Sequence, residues 1–330
     1  MNKLTTITFS CLLLIFQTEA KEIFEEQNDQ FVRSLDGSYV RGLLFLQSTQ
    51  NEDGSWSDTS YGAQPGVIGM AILAFLSRGD DPEFGTFAKA LKKAVQQILN
   101  QQNKKTGYIG TTMYNHGFAT LALAEYYGLT NDTSIGPALK NATNLIVSAQ
   151  KANPKGAWRY SPESKDGDTT VTGAQMVALF AARNAGIEVP DDAISKGKKF
   201  LLECQDERGG FGYTGNSGAN LPRTAIGSLI LALDKDTESD AFKNSIEYLR
   251  ENARFGDQGH KFYSLYYTAQ AMFRSTPEDW KKWNFENVRK LQATQAENGS
   301  WNGNYGTTFT TSAALLSMAL NYRYLPIYER

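Results

Sequence analysis

Cysteine is nearly missing from this chain of 330 residues: Cys11 and Cys204 are the only two. No disulfide framework can hold such a fold, so its stability must come from packing. Histidine is equally scarce, at positions 116 and 260 with no HExxH-like pair, and the sequence offers no clustered metal ligands. Charge imbalance is missing too. The 33 Lys and Arg against 35 Asp and Glu leave a net charge of −2. That excludes an electrostatic preference for nucleic acid or for an anionic membrane surface. Beyond residue 20 no apolar run reaches the roughly 18–20 residues that cross a bilayer. Phosphate-cradling loops are absent as well, since "RGGFGYTGNSG" has glycines but neither a lysine nor a preceding strand.

The first twenty residues differ in kind. "MNKLTTITFSCLLLIFQTEA" carries Lys3, an apolar stretch from Phe9 to Phe16, and the small residue Ala20 after a polar break. These features predict a secretory signal peptide over residues 1–20, cleaved after Ala20, and hence an exported protein, periplasmic or extracellular. Its removal leaves Cys204 as the one cysteine. Residues 21–33 read as a lead-in, and 34–330 as a single domain with ample apolar material, 41%, for one large core.

That domain repeats itself. "LQSTQNEDGSW" at 46–56 returns as "LQATQAENGSW" at 291–301, and the shared frame is Gln, three residues, Gly, one residue, aromatic. Further copies run through "NQQNKKTGY", "SAQKANPKGAW" and "CQDERGGFG", placing the glutamines at 50, 101, 150, 205 and 295. A degenerate copy, "YLRENARFGDQGHKFY", fills the gap near 250. Five steps of 49 residues separate the first glutamine from the last, so there are six units. Before each glutamine runs an amphipathic segment such as "FAKALKKAVQQILNQQ". After each glycine comes one that is apolar most of the way round, such as "GVIGMAILAFLSRG". Gly79, Gly128 and Gly186 stand where such helices would stop. Six polar-faced helices alternating with six buried ones predict an all-α fold, an α/α toroid whose inner barrel is wrapped by the amphipathic set. The Gln–Gly–aromatic stretch is then the turn from outer to inner helix and carries no chemistry.

The repeats, the buried helices opening with Thr and Ala, and "RGGFGY" resemble the prenyltransferase/squalene-cyclase (terpenoid cyclase) repeat superfamily. "MYNHGFATLALAEYYG", "DGDTTVTGAQMVALFAARNAGIEVP" and "ALNYRYLP" look more like a group of exported bacterial repeat proteins of unknown function, and the likeness spans about residues 35–326. In prenyltransferases the resemblance implies a zinc ion held by Asp-x-Cys and a later His. Here Cys204 precedes Asp206 and Tyr267 stands at the histidine position, so neither metal nor other cofactor is expected. In cyclases it implies an Asp-x-Asp-Asp acid. Here "DGDTT" supplies Asp166 and Asp168, with Thr169 or Thr170 at the remaining position.

Inner helices of a toroid present their N-terminal ends at the mouth of the central cavity. The polar residues ahead of those helices are Asp58 and Tyr61, Tyr114 and His116, Arg159 and Tyr160, and Asp166 and Asp168. The last three units add Asn220 and Arg223, His260 and Tyr263, Tyr266 and Tyr267, then Tyr305. Asp168 and His116 are the candidates for proton transfer, Asp168 also fitting a helix cap and His116 a helix-start hydrogen bond. Arg223, Tyr114, Arg159, Tyr263, Tyr266 and Tyr267 are the candidates for substrate contact, with a buried Arg223–Asp168 pair as the competing arrangement. Three functions fit this pattern. One is a terpenoid-cyclase-like enzyme acting on an isoprenoid or lipid; another is a lyase-like, polysaccharide-active toroid; the third is a non-catalytic binding or scaffold toroid. A small-molecule or lipid ligand is the expected partner, and the sequence names no protein partner.

Overall fold

The computed structural model describes residues 29–57, 61, 63–130, 132–253 and 260–328. The expected signal segment, residues 21–28 of the lead-in, and Asp58 lie outside the described residues. Twelve α-helices and no strand occur among the described residues. They are α1 (Asp29–Ser48), α2 (Pro65–Ser77), α3 (Ala88–Asn100), α4 (Met113–Leu129), α5 (Gly136–Lys151) and α6 (Thr169–Asn184). The second half holds α7 (Asp191–Glu203), α8 (Leu221–Leu233), α9 (Asp240–Asn252), α10 (Lys261–Phe273), α11 (Pro277–Thr294) and α12 (Thr307–Ala319). No helix among them is long and apolar enough to cross a membrane.

The two helix types behave as their sequences dictate. Every residue of α2 is buried, whereas α3 buries only the stripe Ala88, Ala90, Leu91, Ala94, Val95 and Ile98. The even-numbered helices pack in sequence, α2 on α4, α4 on α6, and so on to α12, which packs back on α2. The ring is therefore closed, with the odd-numbered helices around it, as the alternation of buried and amphipathic segments requires. Glycine allows the close approach within the barrel: a β-carbon on Gly69 would lie 2.7 Å from the Phe118 carbonyl oxygen.

The repeated glutamine does the stitching. Gln50 Nε2 donates to the Gly54 carbonyl of its own turn and to the Ala90 carbonyl on the next outer helix. Gln150 does the same with Gly156 and Ala193, and Gln205 with Gly209 and Ala241. Gln295 joins Gly299 to Ser38 on α1, so the sixth unit closes on the first by the same bond. Each such hydrogen bond contributes about 1 kcal/mol net. In the second unit the stitch is Gln102, not the expected Gln101. Gln102 Nε2 reaches Gly107 and Ala138, while the Gln101 side chain donates to Ala63. The rings of Trp56, Trp158 and Trp301 are buried between layers, each donating Nε1–H to an outer-helix carbonyl, of Leu46, Ile146 and Leu291.

Of the three expected stops, Gly79 and Gly186 follow helix ends with φ of +88° and +82°. Gly128 instead lies inside α4, which runs one residue further, to Leu129. At the far end of the barrel the turn Pro326–Tyr328 packs on α4 and α6 with Tyr328 buried, and Arg274 at the end of α10 donates to the Ile327 carbonyl. That end is filled, so access to the interior is from the N-terminal ends of the inner helices.

Candidate functional site

A cavity of about 820 Å³ opens at those N-terminal ends, and all six inner helices or the loops leading into them contribute to it. The contributing positions follow helical geometry. At 100° per residue, the second, third and sixth residues of an inner helix share one face. Gly66, Val67 and Met70 of α2 line the cavity, as do Tyr114, Asn115 and Phe118 of α4. Thr170 of α6, Pro222 and Arg223 of α8, Tyr263 of α10 and Phe309 of α12 occupy the same positions.

One wall is built from tyrosine and arginine. The Tyr114 and Tyr160 rings lie 6.0 Å apart, and the Tyr160 and Tyr213 hydroxyls share a hydrogen bond of 2.6 Å. The Arg159 guanidinium stands 5.7 Å from the Tyr160 ring and 5.6 Å from that of Tyr213, and Arg223 stands 5.6 Å from Tyr213. Another wall stacks the His260 and Tyr305 rings at 5.4 Å, with Tyr61 at 5.6 Å from Tyr305 and the Tyr305 hydroxyl hydrogen-bonded to His260 Nδ1. Burial, helped by Tyr61, pushes the Tyr305 phenol up. Val67, Met70, Phe118 and Phe309 form the apolar part. Among the described residues that line it, none is Asp or Glu.

The structure brings some of the expected residues together and separates others. Tyr114, Arg223 and Tyr263 line the cavity, along with Tyr61, Tyr160, Asn220, His260 and Tyr305 of the wider set. Tyr266 and Tyr267 do not: they are fully buried beneath it, edge-to-face at 4.7 Å, with Tyr267 against Tyr263 and Tyr266 against Phe118. Arg159 backs the Tyr160 and Tyr213 rings without lining the cavity and pairs with Asp166. Arg223 makes no pair with Asp168 and bonds neutral groups instead.

Asp168 lies behind the wall. It caps α6, its Oδ1 accepting from the backbone N–H groups of Thr170 (2.9 Å) and Val171 (2.8 Å) and from the Thr170 hydroxyl (2.7 Å). Tyr114 in turn donates its hydroxyl proton to Thr170 Oγ1. Asp168 therefore reaches the cavity only through Thr170. Its Oδ2 is buried with no hydrogen-bond partner among the described residues, where Arg159 Nε lies at 4.0 Å. Burial raises the carboxyl group above the usual range. Asparagine preserves the cap without the charge, so Asp168→Asn is expected to hold wild-type stability at pH 7 within about 1 kcal/mol, while Asp168→Ala loses about 1–2 kcal/mol. Urea unfolding of the pair checks this, and a loss in Asn equal to that in Ala would show that the charge, and not the cap acceptor alone, is engaged.

His116 turns away from the cavity altogether. As the fourth residue of α4 it is rotated toward the outer layer, where Ile109 N–H donates to Nδ1 (3.1 Å) and Nε2 lies 3.0 Å from the Ala142 carbonyl. The corresponding residue of α6, Thr172, accepts from Trp158 N–H at 3.2 Å, and that of α8, Thr224, from Phe211 N–H at 3.0 Å. His116 thus fills a latch position that threonine fills in other repeats, and both its nitrogens are committed to backbone.

Tyr213 has no place among the residues expected from the sequence, and Thr170 enters there only as a departure from the cyclase acid motif. Tyr213 had a signal, since it stands two residues past the motif aromatic Phe211, just as Tyr160 stands two past Trp158. Among the described residues no three His, Cys, Asp or Glu side chains gather as a metal site, and Cys204 is a buried residue ending α7.

Solved structures share this fold. A variant of the type II terpene cyclase MstE from Scytonema, in complex with its substrate geranylgeranyl dihydroxybenzoate, matches with a TM-score of 0.64 at 15% identity, over 90% of this chain and 100% of that one. The GH76A α-1,6-mannanase from Salegentibacter sp. HEL1_6 matches at 0.66 and 10% identity, over 86% and 98%. A protein from Actinoplanes matches at 0.60 and 16%, over 87% and 99%. At such identities the likeness is one of fold. No curated protein matches the chain. The sequence model of the domain of unknown function DUF6288 matches residues 33–328, nearly all of the toroid, and the chain belongs to that family.

Proposed function

We propose that the mouth cavity binds an apolar, chain-shaped molecule of the isoprenoid or lipid class, as a terpenoid-cyclase-like toroid would. The supporting observation is the cavity itself: about 820 Å³, closed at its far end, with Val67, Met70, Phe118 and Phe309 set among tyrosine rings. Aromatic faces suit alkene chains and would stabilise a cation formed on one. Proton transfer to a bound chain would have to pass through the Thr170 hydroxyl, which here donates to Asp168 Oδ1 and would turn to give its proton to the chain as it takes the one from the carboxyl group. Purified protein incubated with polyprenyl and squalene-type compounds is expected to retain them, and Phe118→Asp to lose at least about tenfold in affinity through a charge placed in an apolar pocket. Asp168→Asn and Thr170→Val are expected to keep binding and to abolish any turnover. Retention by wild type and Phe118→Asp alike would overturn the assignment.

Elimination on an acidic glycan is the alternative that one observation favours. The hydrogen-bonded His260–Tyr305 pair supplies a base on one wall of a cavity whose other wall holds a cation, Arg223. Growth of an unsaturated-sugar absorbance with uronate polymers, lost in Tyr305→Phe, would support it.

A further inference from the structure

Six arginines of the described chain, Arg78, Arg159, Arg183, Arg208, Arg250 and Arg289, each reach a carboxylate. Arg223, the one arginine lining the cavity, reaches none among the described residues; its bonds go to neutral oxygens. Nε donates to Asn220 Oδ1 at 3.0 Å and Nη2 to the Gly218 carbonyl at 2.7 Å. These two bonds fix the guanidinium against the Tyr213 ring and leave Nη1 with no acceptor among the described residues. A guanidinium at a partly dehydrated site ordinarily finds a carboxylate, and no Asp or Glu among the described residues lines this cavity to serve. Beside it the Tyr160 and Tyr213 hydroxyls bond each other, so one of the two protons remains free to donate elsewhere.

We propose that Arg223 is the anion subsite of the cavity, so that its ligand is an amphiphile with an acidic head, a carboxylate or a phosphate, on an apolar chain. This rests on the lipid-binding assignment above and specifies it. The head docks on Arg223 with a tyrosine hydroxyl as second donor, and the chain runs inward over Val67, Met70 and Phe118. Carboxylate and phosphate present the same anionic oxygens to a guanidinium, and the experiment separates them.

The test compares three probes of one chain length, an isoprenoid carboxylic acid, the monophosphate and the neutral alcohol, by fluorescence titration of wild type, Arg223→Gln and Arg223→Lys, each with its melting curve. Wild type is expected to bind at least one acidic probe about tenfold or more tighter than the alcohol, in keeping with a charge-assisted bond, and to lose that advantage as salt is raised. Arg223→Gln is expected to bind all three with the alcohol's affinity, and Arg223→Lys to retain part of the advantage. The better acidic probe identifies the head group. Equal affinity for acid and alcohol in the wild type overturns the subsite while leaving the lipid cavity standing. Failure of all three probes to bind overturns both. Tight binding of an oligouronate that Arg223→Gln abolishes, in place of the lipid acids, overturns the amphiphile. If Arg223→Gln melts well below wild type, the lysine variant and the salt dependence of the wild type decide.

Discussion

Gly209→Ala is expected to destabilise the protein by about 3–5 kcal/mol and to lower its melting temperature by roughly 10 °C. Two terms add. Gly209 has φ of +84°, where a β-carbon meets its own backbone at about 1–2 kcal/mol. The same β-carbon would also lie 2.3 Å from the carbonyl oxygen of Asn244, on α9 of the next unit. Backbone of a packed helix cannot swing aside as a side chain would, so the seam between units must open. Two neighbours separate the terms. Gly218 has φ of +66° with nothing within 4 Å, so Gly218→Ala should show the conformational part alone, about 1–2 kcal/mol. Gly215 has neither constraint, and Gly215→Ala should stay within about 0.5 kcal/mol of wild type. Thermal melts of the three rank them; equal losses at Gly209 and Gly218 would mean that the inter-unit contact is not what the repeat glycine protects.

The same seam explains why the fold was legible. A ring of identical joints needs the same residues at each joint, so the physical demand on Gln, Gly and the aromatic is printed five times over. Local slips occurred where two residues satisfied the pattern equally. Gln101 and Gln102 are adjacent, and only the twist of α3 decides which faces the Ala138 carbonyl. Gly128 fits a helix stop by type, yet α4 carries on to Leu129 and caps with Thr130 in an extended conformation.

The cavity was legible as a place but not as a set of side chains. Polar residues at the head of an inner helix can face the mouth, cap the helix, or turn to the outer layer, and residue type alone does not separate these. Position does: second and third residues face inward, the fourth faces the layer behind. Counting from the helix start would have kept Tyr114, Arg223 and Tyr263 and returned His116 to the latch. Asp168, one residue ahead of its helix, was bound by its own α6 backbone before any ligand could claim it. The helix starts needed for that count are themselves set by Thr112, Asp168 and Asn220 as caps, each recognisable only once the inward face is known.

The latch has a consequence in acid. Burial holds His116 down to about 4, because the charged ring would lose water with no carboxylate to replace it and its Nδ1 would lose the Ile109 N–H bond. An unfolded chain takes up that proton near 6.5. Between these values the unfolded state binds more protons than the folded one, so stability is full above about pH 6.5 and falls as pH drops toward 4. A gap of about 2.5 units corresponds to roughly 3 kcal/mol. Asp168, held above the usual carboxylate range, works in the opposite sense at the acid end, since its folded form takes up a proton first. His116→Thr isolates the histidine, because it restores the residue used at the equivalent latches Thr172 and Thr224 and leaves Asp168 untouched. The variant is expected to be about 1–3 kcal/mol less stable than wild type at pH 7, having lost the bond to Ala142 and some volume, and to match or exceed it at pH 4. Urea unfolding of both proteins from pH 7 to pH 4 measures the crossing, and parallel curves across that range would show that His116 is not the buried neutral group on which this acid sensitivity rests.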